Sequence, residues 1–191
     1  MTTVYLIRHC QADYSLADDR ARYLTPKGKE DSLLITAFLK DKNISHIYSS
    51  PYQRALATIC DFARVSGLLI CSDEAFREHH SARDRSQSYD AYSFYQHYWL
   101  DHEYQLPGGD SFRAVQERCV SAVKDLLSKH ENENIVIVSH GFACGTLLNY
   151  YDVTFNFEKW WEFNKLTPAI VEMKFDGQQP ISSALCNFNE V

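Results

Sequence analysis

Two histidines, two arginines and one glutamate follow short apolar runs of the sequence. Arg8 and His9 come directly after the run VYLI, and His140 follows IVIV and one serine. Arg54 lies just beyond the run HIYSS, and Glu78 lies a few residues beyond LLIC. Ligands of open α/β sheets bind outside the carboxyl ends of the strands. We therefore expect these five side chains to converge on one edge of a sheet.

This combination of side chains suits phosphoryl transfer. Arginine presents a planar fork of donors that matches phosphate oxygens. A neutral imidazole nitrogen can attack phosphorus and form a covalent intermediate, and nearby guanidinium groups disfavour its protonation. A protonated carboxyl group can supply the proton that the leaving oxygen needs. A helix that begins after Gly141 would direct its N-terminus at the same place, which favours an anion.

The elements that must position these residues alternate between strands and helices. Apolar runs predict buried strands, whereas Thr-Pro, Ser-Pro and Gly signals predict helix starts and stops. This order predicts an α/β fold, a three-layer sandwich whose mostly parallel central sheet has an antiparallel edge and helices on both faces. The predicted strands cover residues 4–7, 44–48, 68–71, 135–138, 169–175 and 181–186, with helices beginning at Thr25-Pro26, at Ser50-Pro51, near Phe112 and after Gly141.

Two segments need separate predictions. In the first helix, the apolar residues Leu33, Leu34, Ala37 and Phe38 predict the buried face. Residues 79–106 show no strand pattern but are rich in tyrosine, phenylalanine and tryptophan. We predict one or two irregular helices over the end of the sheet, which either pack as ordinary core or form a cap that faces the substrate.

Size and charge narrow the functional class. The chain has 191 residues, which predicts a single domain over residues 1–191. Its net charge of −6 disfavours a nucleic-acid partner, and no apolar run approaches the length of a membrane span. The first residues lack a signal-peptide pattern, and the six cysteines show no CxxC spacing. A cytoplasmic protein with reduced thiols is expected.

Six motifs, in order, resemble the histidine phosphatase superfamily, the phosphoglycerate mutase-like proteins. The block Arg8-His9-Cys10-Gln11 resembles the family's Arg-His-Gly-Glu/Gln signature, and Ser49 to Ala55 resembles its Ser-Pro-x-x-Arg-Ala block. The other matching motifs are Leu24-Thr25-Pro26-Lys27-Gly28, Phe76-Arg77-Glu78, Leu106-Pro107-Gly108-Gly109-Asp110-Ser111 and Val138-Ser139-His140-Gly141. Within the family, the chain is most similar to small phosphatases such as α-ribazole phosphatase and the broad-specificity enzymes.

The resemblance implies a role for each site residue. His9 would be the phosphorylated nucleophile, and Arg8, Arg54 and His140 would bind the phosphoryl group. Glu78 would donate a proton to the leaving group and then activate water. Ser15, which stands where many members have a phosphate-contacting asparagine, and Gly141 complete the predicted substrate-binding set. The resemblance implies no metal and no other cofactor.

The sequence departs from the family in two further places. Cys10 replaces a glycine, so we expect a conventional backbone conformation there. The residues after Glu78 lack the usual Gly-x-Trp-Glu-Gly pattern, which leaves the substrate undetermined. Since residues 86–112 contain no basic cluster, we expect a neutral, ring-containing monophosphate rather than a bisphosphate.

The predicted partner is a small phosphorylated metabolite, with neither nucleic acid nor membrane, and the oligomeric state stays open. Mutase-type transfer within a phosphoglycerate and a non-catalytic phosphate-binding module are the alternatives. The mutase is disfavoured because about 15 residues follow the Asp176-Gly177 turn, too few for a closing lid.

Two other enzyme classes fit the sequence poorly. A cysteine phosphatase needs the spacing HCx5R, but Leu16 stands where arginine is required after Cys10. The Cys71 to Arg77 segment has that spacing, yet it carries two carboxylates and no glycine. A metal site built from His79, His80, His97 and His102 lacks any recognised ligand spacing.

Overall fold

The computed structural model describes residues 1–84 and 88–187 of the chain. Its strands are β1 (Thr2–Arg8), β2 (Ile44–Ser49), β3 (Ile70–Ser72), β4 (Asn134–Ser139), β5 (Ala169–Asp176) and β6 (Gln179–Leu185). Its α-helices are α1 (Pro26–Leu39), α2 (Gln53–Ser66), α3 (Ala91–Leu100), α4 (Phe112–Lys129), α5 (Gly141–Tyr151) and α6 (Phe157–Phe163), and a short 3₁₀ turn covers Glu74–Phe76. Among the described residues, no helix is both long and apolar enough to cross a membrane.

The six strands form one sheet in the order β3-β2-β4-β1-β5-β6. Strands β1 to β4 are mutually parallel where they pair, whereas β5 runs antiparallel to both β1 and β6. The predicted mostly parallel sheet with an antiparallel edge is confirmed. Because β1 and β4 are adjacent and parallel, with Arg8 paired to Ser139, the residues that follow both strands emerge side by side.

Each face of the sheet is covered by its own hydrophobic core. On β1, Tyr5 and Ile7 contribute to the core under α1 and α2, while Val4 and Leu6 contribute to the core under α3 to α6. This alternation follows from the two-residue period of a strand. The three-layer architecture predicted from the alternating elements is therefore confirmed.

The predicted buried face of α1 is correct only in part, because Leu34 and Phe38 pack against the core but are not its most buried residues. Leu33 is exposed, and the helix buries Ile35 and Leu39 together with Asp31 and Ser32. The polar pair can be buried because Lys27 pairs with Asp31 and the Ser32 hydroxyl donates to a backbone carbonyl. The apolar pattern therefore placed the centre of the buried face incorrectly, because these satisfied polar groups take up part of the buried surface.

The second helix and the aromatic segment also differ from prediction. Helix α2 begins at Gln53 rather than at Ser50-Pro51, and the Ser50 hydroxyl is hydrogen-bonded to a histidine ring instead. Within residues 79–106, one regular helix, α3, starts at an Asp90 N-cap whose side chain accepts two backbone N–H groups. The short helix α6 was not predicted.

Candidate active site

His9 lies just past the end of β1 with its ring almost fully buried. Its Nδ1 is 2.7 Å from the carbonyl oxygen of Cys10, which can only accept, so Nδ1 carries the ring proton. Nε2 consequently carries a lone pair and no proton. This lone pair accepts a hydrogen bond from the Arg54 Nε–H over 3.2 Å. The arrangement fixes the tautomer in which Nε2 can act as a nucleophile.

The electrostatic surroundings keep the His9 ring neutral. Burial, followed by the charges of Arg54 and Arg8, holds the pKa of His9 well below its ordinary value of 6.5. A second positive charge in a desolvated pocket beside two guanidinium groups is costly. Near neutral pH, the imidazole is therefore neutral, with its one ring proton on Nδ1.

Arg54 lies in the first turn of α2 and is held from two sides. Its Nη1 donates to the Asp19 carbonyl oxygen at 2.6 Å and contacts the Asp19 carboxylate at 3.3 Å. Its guanidinium carbon also lies 4.9 Å from the centre of the Tyr52 ring. Asp19 was not singled out from the sequence, because it lies 35 positions from Arg54 and only the fold brings the two residues together.

Arg8, the last residue of β1, is anchored by the turn after α6. One Nη donates to the carbonyl oxygens of Asn164 and Leu166, each at 2.6 Å. A Cβ at Gly141 would overlap the Asn164 side chain and lie 3.2 Å from the Arg8 Nε. The absence of a side chain at Gly141 is thus what lets Arg8 and Asn164 approach the start of α5.

His140 follows β4 and is fully buried behind His9. The two rings are 5.1 Å apart between centroids, and the His140 Nε2 is 2.7 Å from the Ser50 hydroxyl oxygen. Burial and the charge of Arg54 hold the pKa of His140 well below its ordinary value. Among the described residues, neither the His140 Nδ1 nor the Arg8 Nε has a hydrogen-bond partner. Both atoms are buried polar groups whose hydrogen-bonding capacity is unused.

The carboxylate of Glu78 occupies the N-terminus of α5. It accepts N–H groups from His79 at 2.9 Å, Ala143 at 3.1 Å and Phe142 at 3.3 Å. A helix N-terminus was predicted to favour a phosphate here, and the structure places the Glu78 carboxylate on the first N–H groups of that helix. Both carboxylate oxygens are engaged, so the position of Glu78 is well defined.

The loop that carries Glu78 is braced from α4. Arg77 forms a bidentate pair with Asp110, with nitrogen–oxygen distances of 2.5 and 2.8 Å. Arg118 donates to the carbonyl oxygens of Ala75 and Glu78. Burial opposes charge on Asp110, but the hydrogen bonds from Arg77 and from the His80 N–H prevail and lower its pKa to about 2.

Arg8, His9, Arg54 and Glu78 line a cavity of about 370 Å³ at the carboxyl edge of the sheet, whereas His140 and Gly141 are not among its lining residues. Four guanidinium groups face two carboxylates there, so the cavity is locally positive although the chain is acidic overall. Arg22 and Arg83 were not predicted at the site, because both precede residues 86–112, the segment from which the substrate was predicted. The lining residues are Arg8, His9, Tyr14, Asp19, Arg22, Arg54, Glu78, His79, Ser81, Arg83, Tyr89, Tyr95 and Asn164.

The aromatic segment serves both as core and as cavity wall. Tyr98 and Trp99 are buried in the hydrophobic core, whereas Tyr89 and Tyr95 line the cavity. Tyr92 instead packs against aromatic rings of α6. Core packing is therefore correct for Tyr98 and Trp99, while a substrate-facing role for Tyr89 and Tyr95 stays a prediction.

Two further positions named in the sequence analysis are Ser15 and Cys10. Ser15 is exposed, does not line the cavity, and its backbone N–H donates to Asp13. Cys10 adopts a conventional backbone conformation, as expected, since it is absent from the residues with positive φ. Burial raises the pKa of the Cys10 thiol to about 12, which leaves it a poor nucleophile.

The four histidines considered for a metal site have other contacts. His79 stacks on Phe142, and burial lowers its pKa to about 4. His97 packs against Tyr104 and His102 against Phe112. His79 lines the catalytic cavity, and His80 lines the adjoining depression.

Comparison with known sequences yields a family match over nearly the whole chain. The model of the histidine phosphatase superfamily (branch 1) matches residues 4–187. A protein named putative phosphoserine phosphatase 2 from Hydrogenobacter thermophilus is 29% identical, covering 94% of this chain and 92% of the relative. A probable phosphoglycerate mutase GpmB from Escherichia fergusonii is 27% identical, covering 78% of this chain and 74% of the relative.

Solved structures share the same fold. The YhfR protein of Bacillus stearothermophilus has a TM-score of 0.74 and 26% identity, with 95% of each chain covered. A phosphoserine phosphatase from Entamoeba histolytica, crystallised as a mutant with phosphoserine, has a TM-score of 0.79 and 22% identity over 100% of both chains.

We expect the Asp110→Asn substitution to destabilise the protein by about 2 kcal/mol at pH 7, because a carboxylate with a lowered pKa stabilises the folded state. The contribution is fully present above the ordinary pKa of 3.8 and is lost as the pH falls toward 2. Chemical denaturation of both proteins from pH 7 to pH 2.5 should show the difference shrinking below about pH 4.

The Asp61→Asn substitution is the matched control, because it removes a carboxylate paired with a largely exposed arginine, Arg64. It should change the stability at pH 7 by less than about 1 kcal/mol. A difference between wild type and Asp110→Asn that is independent of pH would contradict the assigned role of the Arg77–Asp110 pair.

Proposed function

Because this chain belongs to the histidine phosphatase superfamily and is a phosphatase, we propose that it hydrolyses a small phosphomonoester through a covalent phosphohistidine on His9. The observation that carries this proposal is the state of the His9 ring. Nδ1–H is committed to the Cys10 carbonyl, and Nε2 is unprotonated among guanidinium groups at the base of a positive cavity.

In the first step, the His9 Nε2 attacks phosphorus and the bond to the leaving oxygen breaks. The Glu78 carboxyl group supplies the proton that the leaving oxygen needs. Arg8, Arg54 and His140 stabilise the negative charge on the three phosphoryl oxygens. The hydrogen bond from Nδ1 to Cys10 stabilises the positive charge that the imidazole gains as the nitrogen–phosphorus bond forms.

In the second step, water replaces the departed alcohol. Glu78, now a carboxylate, takes a proton from this water, and the oxygen attacks phosphorus. The nitrogen–phosphorus bond breaks, which returns His9 to its neutral form and releases inorganic phosphate. Its hydrogen bonds to the α5 N-terminus hold the Glu78 carboxylate in place through both steps.

We expect His9→Ala to abolish both turnover and the covalent intermediate. Rapid quench with ³²P-labelled substrate should trap an acid-labile, alkali-stable phosphoprotein in the wild type only. His80→Ala is the control, because this exposed histidine lies in the neighbouring loop and should leave the labelling intact. Label that persists in His9→Ala would assign the nucleophile elsewhere.

Measurement of the products separates hydrolysis from mutase-type transfer. The name of the Escherichia relative brings this alternative into consideration. With 3-phosphoglycerate, free phosphate should appear as fast as the substrate disappears. Formation of 2-phosphoglycerate faster than phosphate would favour the mutase.

For Glu78→Gln, we expect a loss of activity that depends on the leaving group. General acid catalysis contributes roughly 10²–10⁴-fold, so phosphorylation by an alkyl phosphate should slow by that factor. Phosphorylation by p-nitrophenyl phosphate should slow much less, because its leaving group needs little protonation. Single-turnover kinetics measure this step directly, and equal losses for the two substrates would make Glu78 a structural residue.

For the substrate, the cavity favours a monophosphate that carries a second anionic group. Among the described lining residues, Arg22, which pairs with Asp19, and Arg83 add to Arg8 and Arg54, and the carboxylates are those of Asp19 and Glu78. We therefore propose a carboxylate-bearing substrate, of which phosphoserine and 3-phosphoglycerate are examples, in place of the neutral substrate expected from the sequence. The name of the Hydrogenobacter relative and the phosphoserine bound to the Entamoeba enzyme support this choice.

Matched substrate pairs isolate the effect of the carboxylate. We expect kcat/KM for phosphoserine to exceed that for phosphoethanolamine, which lacks only the carboxylate, by at least about 10-fold, because a hydrogen bond to a charged group contributes about 1.5–3 kcal/mol. Arg83→Gln should reduce this ratio, whereas Arg64→Gln, a surface control, should preserve it. A ratio near one, or a preference for neutral ring-containing monophosphates, would contradict the proposal.

A further inference from the structure

A second cluster of chemically reactive side chains lies at the opposite end of the sheet. His46 is on β2, His130 is the C-cap of α4, and Glu133 directly precedes β4. One nitrogen from each histidine and one carboxylate oxygen of Glu133 all lie within 4.8 Å of one another. This cluster differs from the histidines considered in the sequence analysis, because His46 and His130 are 84 positions apart.

The distances suit three ligands of one divalent metal ion. The Glu133 Oε2 is 2.9 Å from the His46 Nε2 and 3.2 Å from the His130 Nδ1. In a tetrahedral zinc site with bonds near 2.0–2.1 Å, neighbouring ligand atoms are about 3.3 Å apart. The two distances from Glu133 are therefore within a few tenths of an ångström of this value, and the two histidine nitrogens lie within 4.8 Å of each other.

The backbone holds these side chains in place. The pairing of β2 with β4 shifts register between Ile44 and His46, which marks a β-bulge next to His46. Asn132, with a φ of 63°, closes the turn between His130 and Glu133, and the Glu133 N–H donates to the His130 carbonyl. Thr2 fastens this turn through hydrogen bonds to both the His130 carbonyl and the Asn132 N–H.

The second nitrogen of His130 also has a partner. The His130 Nε2 is 2.8 Å from the Tyr48 hydroxyl oxygen. Metal-ligating histidines characteristically use their other ring nitrogen for such a hydrogen bond, which fixes the tautomer and the ring orientation. His46 and Glu133 remain about 40% exposed, so water can complete the coordination from the solvent side.

We propose that His46, His130 and Glu133 form a zinc site with water as the fourth ligand. Two imidazoles and one carboxylate are a donor set that suits Zn²⁺. The ion would join β2, the end of α4 and the start of β4, and it would therefore stabilise the fold. Glu133 and His140 flank the two ends of β4, roughly 20 Å apart at 3.3 Å per residue, so bound zinc should leave the phosphatase reaction unchanged.

The test measures zinc binding to the folded chain with its exposed thiols removed. Cys60→Ser and Cys71→Ser together remove the two exposed cysteines, which would otherwise bind zinc themselves. This protein should bind one equivalent of Zn²⁺ by isothermal titration calorimetry. Bound Co²⁺ should show visible absorption bands without the thiolate-to-metal charge-transfer band that cysteine ligation produces.

Adding His46→Asn or Glu133→Gln should weaken zinc binding by at least about 100-fold, while adding the exposed-histidine control His97→Asn should not. Unchanged phosphatase activity in each variant will confirm that the protein is folded. Absence of zinc binding at 100-fold molar excess, or equal binding by all variants, would overturn the proposal. Zinc that inhibits the enzyme and is retained in His46→Asn would belong to the catalytic histidines and would also overturn it.

Discussion

A buried imidazole that must stay unprotonated beside two guanidinium groups is the constraint on which this site depends. Burial alone disfavours the charged ring, and Arg54 and Arg8 reinforce that effect. The same guanidinium groups supply positive charge that suits a phosphoryl group, so in the proposed mechanism one arrangement both prepares the nucleophile and binds its target. Because these like charges repel one another, each arginine needs its own acceptors. Asp19 provides them for Arg54, and the turn after α6 provides them for Arg8.

The position of Glu78 depends on the parallel pairing of β1 and β4. Parallel strands β1 and β4 end side by side, so the residue after β4 and the first turn of α5 lie beside His9. The helix N-terminus holds a carboxylate rather than the substrate. The Arg77–Asp110 pair and Arg118 then tie the Glu78 loop to α4 and its approach. Glu78 is thus supported by elements that are remote from it in the sequence.

The two ends of the sheet have different chemistry. The carboxyl edge concentrates guanidinium groups in a cavity, which lets a chain with a net charge of −6 attract an anionic substrate locally. At the opposite end, His46, His130 and Glu133 form a partly exposed cluster of two imidazoles and one carboxylate. Each end gathers its residues from separate segments, because strand ends and the turns next to them are where the backbone can aim side chains without disrupting the core.

The sequence alone determined the order of most elements, the mixed sheet and the residues that gather around His9, because strand periodicity and the position of a residue at a strand end are local properties. It also determined the family, since the matching motifs occur in a fixed order. Only the tertiary structure decided which face α1 buries, that Arg22 and Arg83 enter the cavity and that Ser15 does not line it. It alone joined Asp19 to Arg54 and His46 to His130. These outcomes depend on contacts between distant segments and on buried polar groups that satisfy one another, and no local pattern of residue types encodes either.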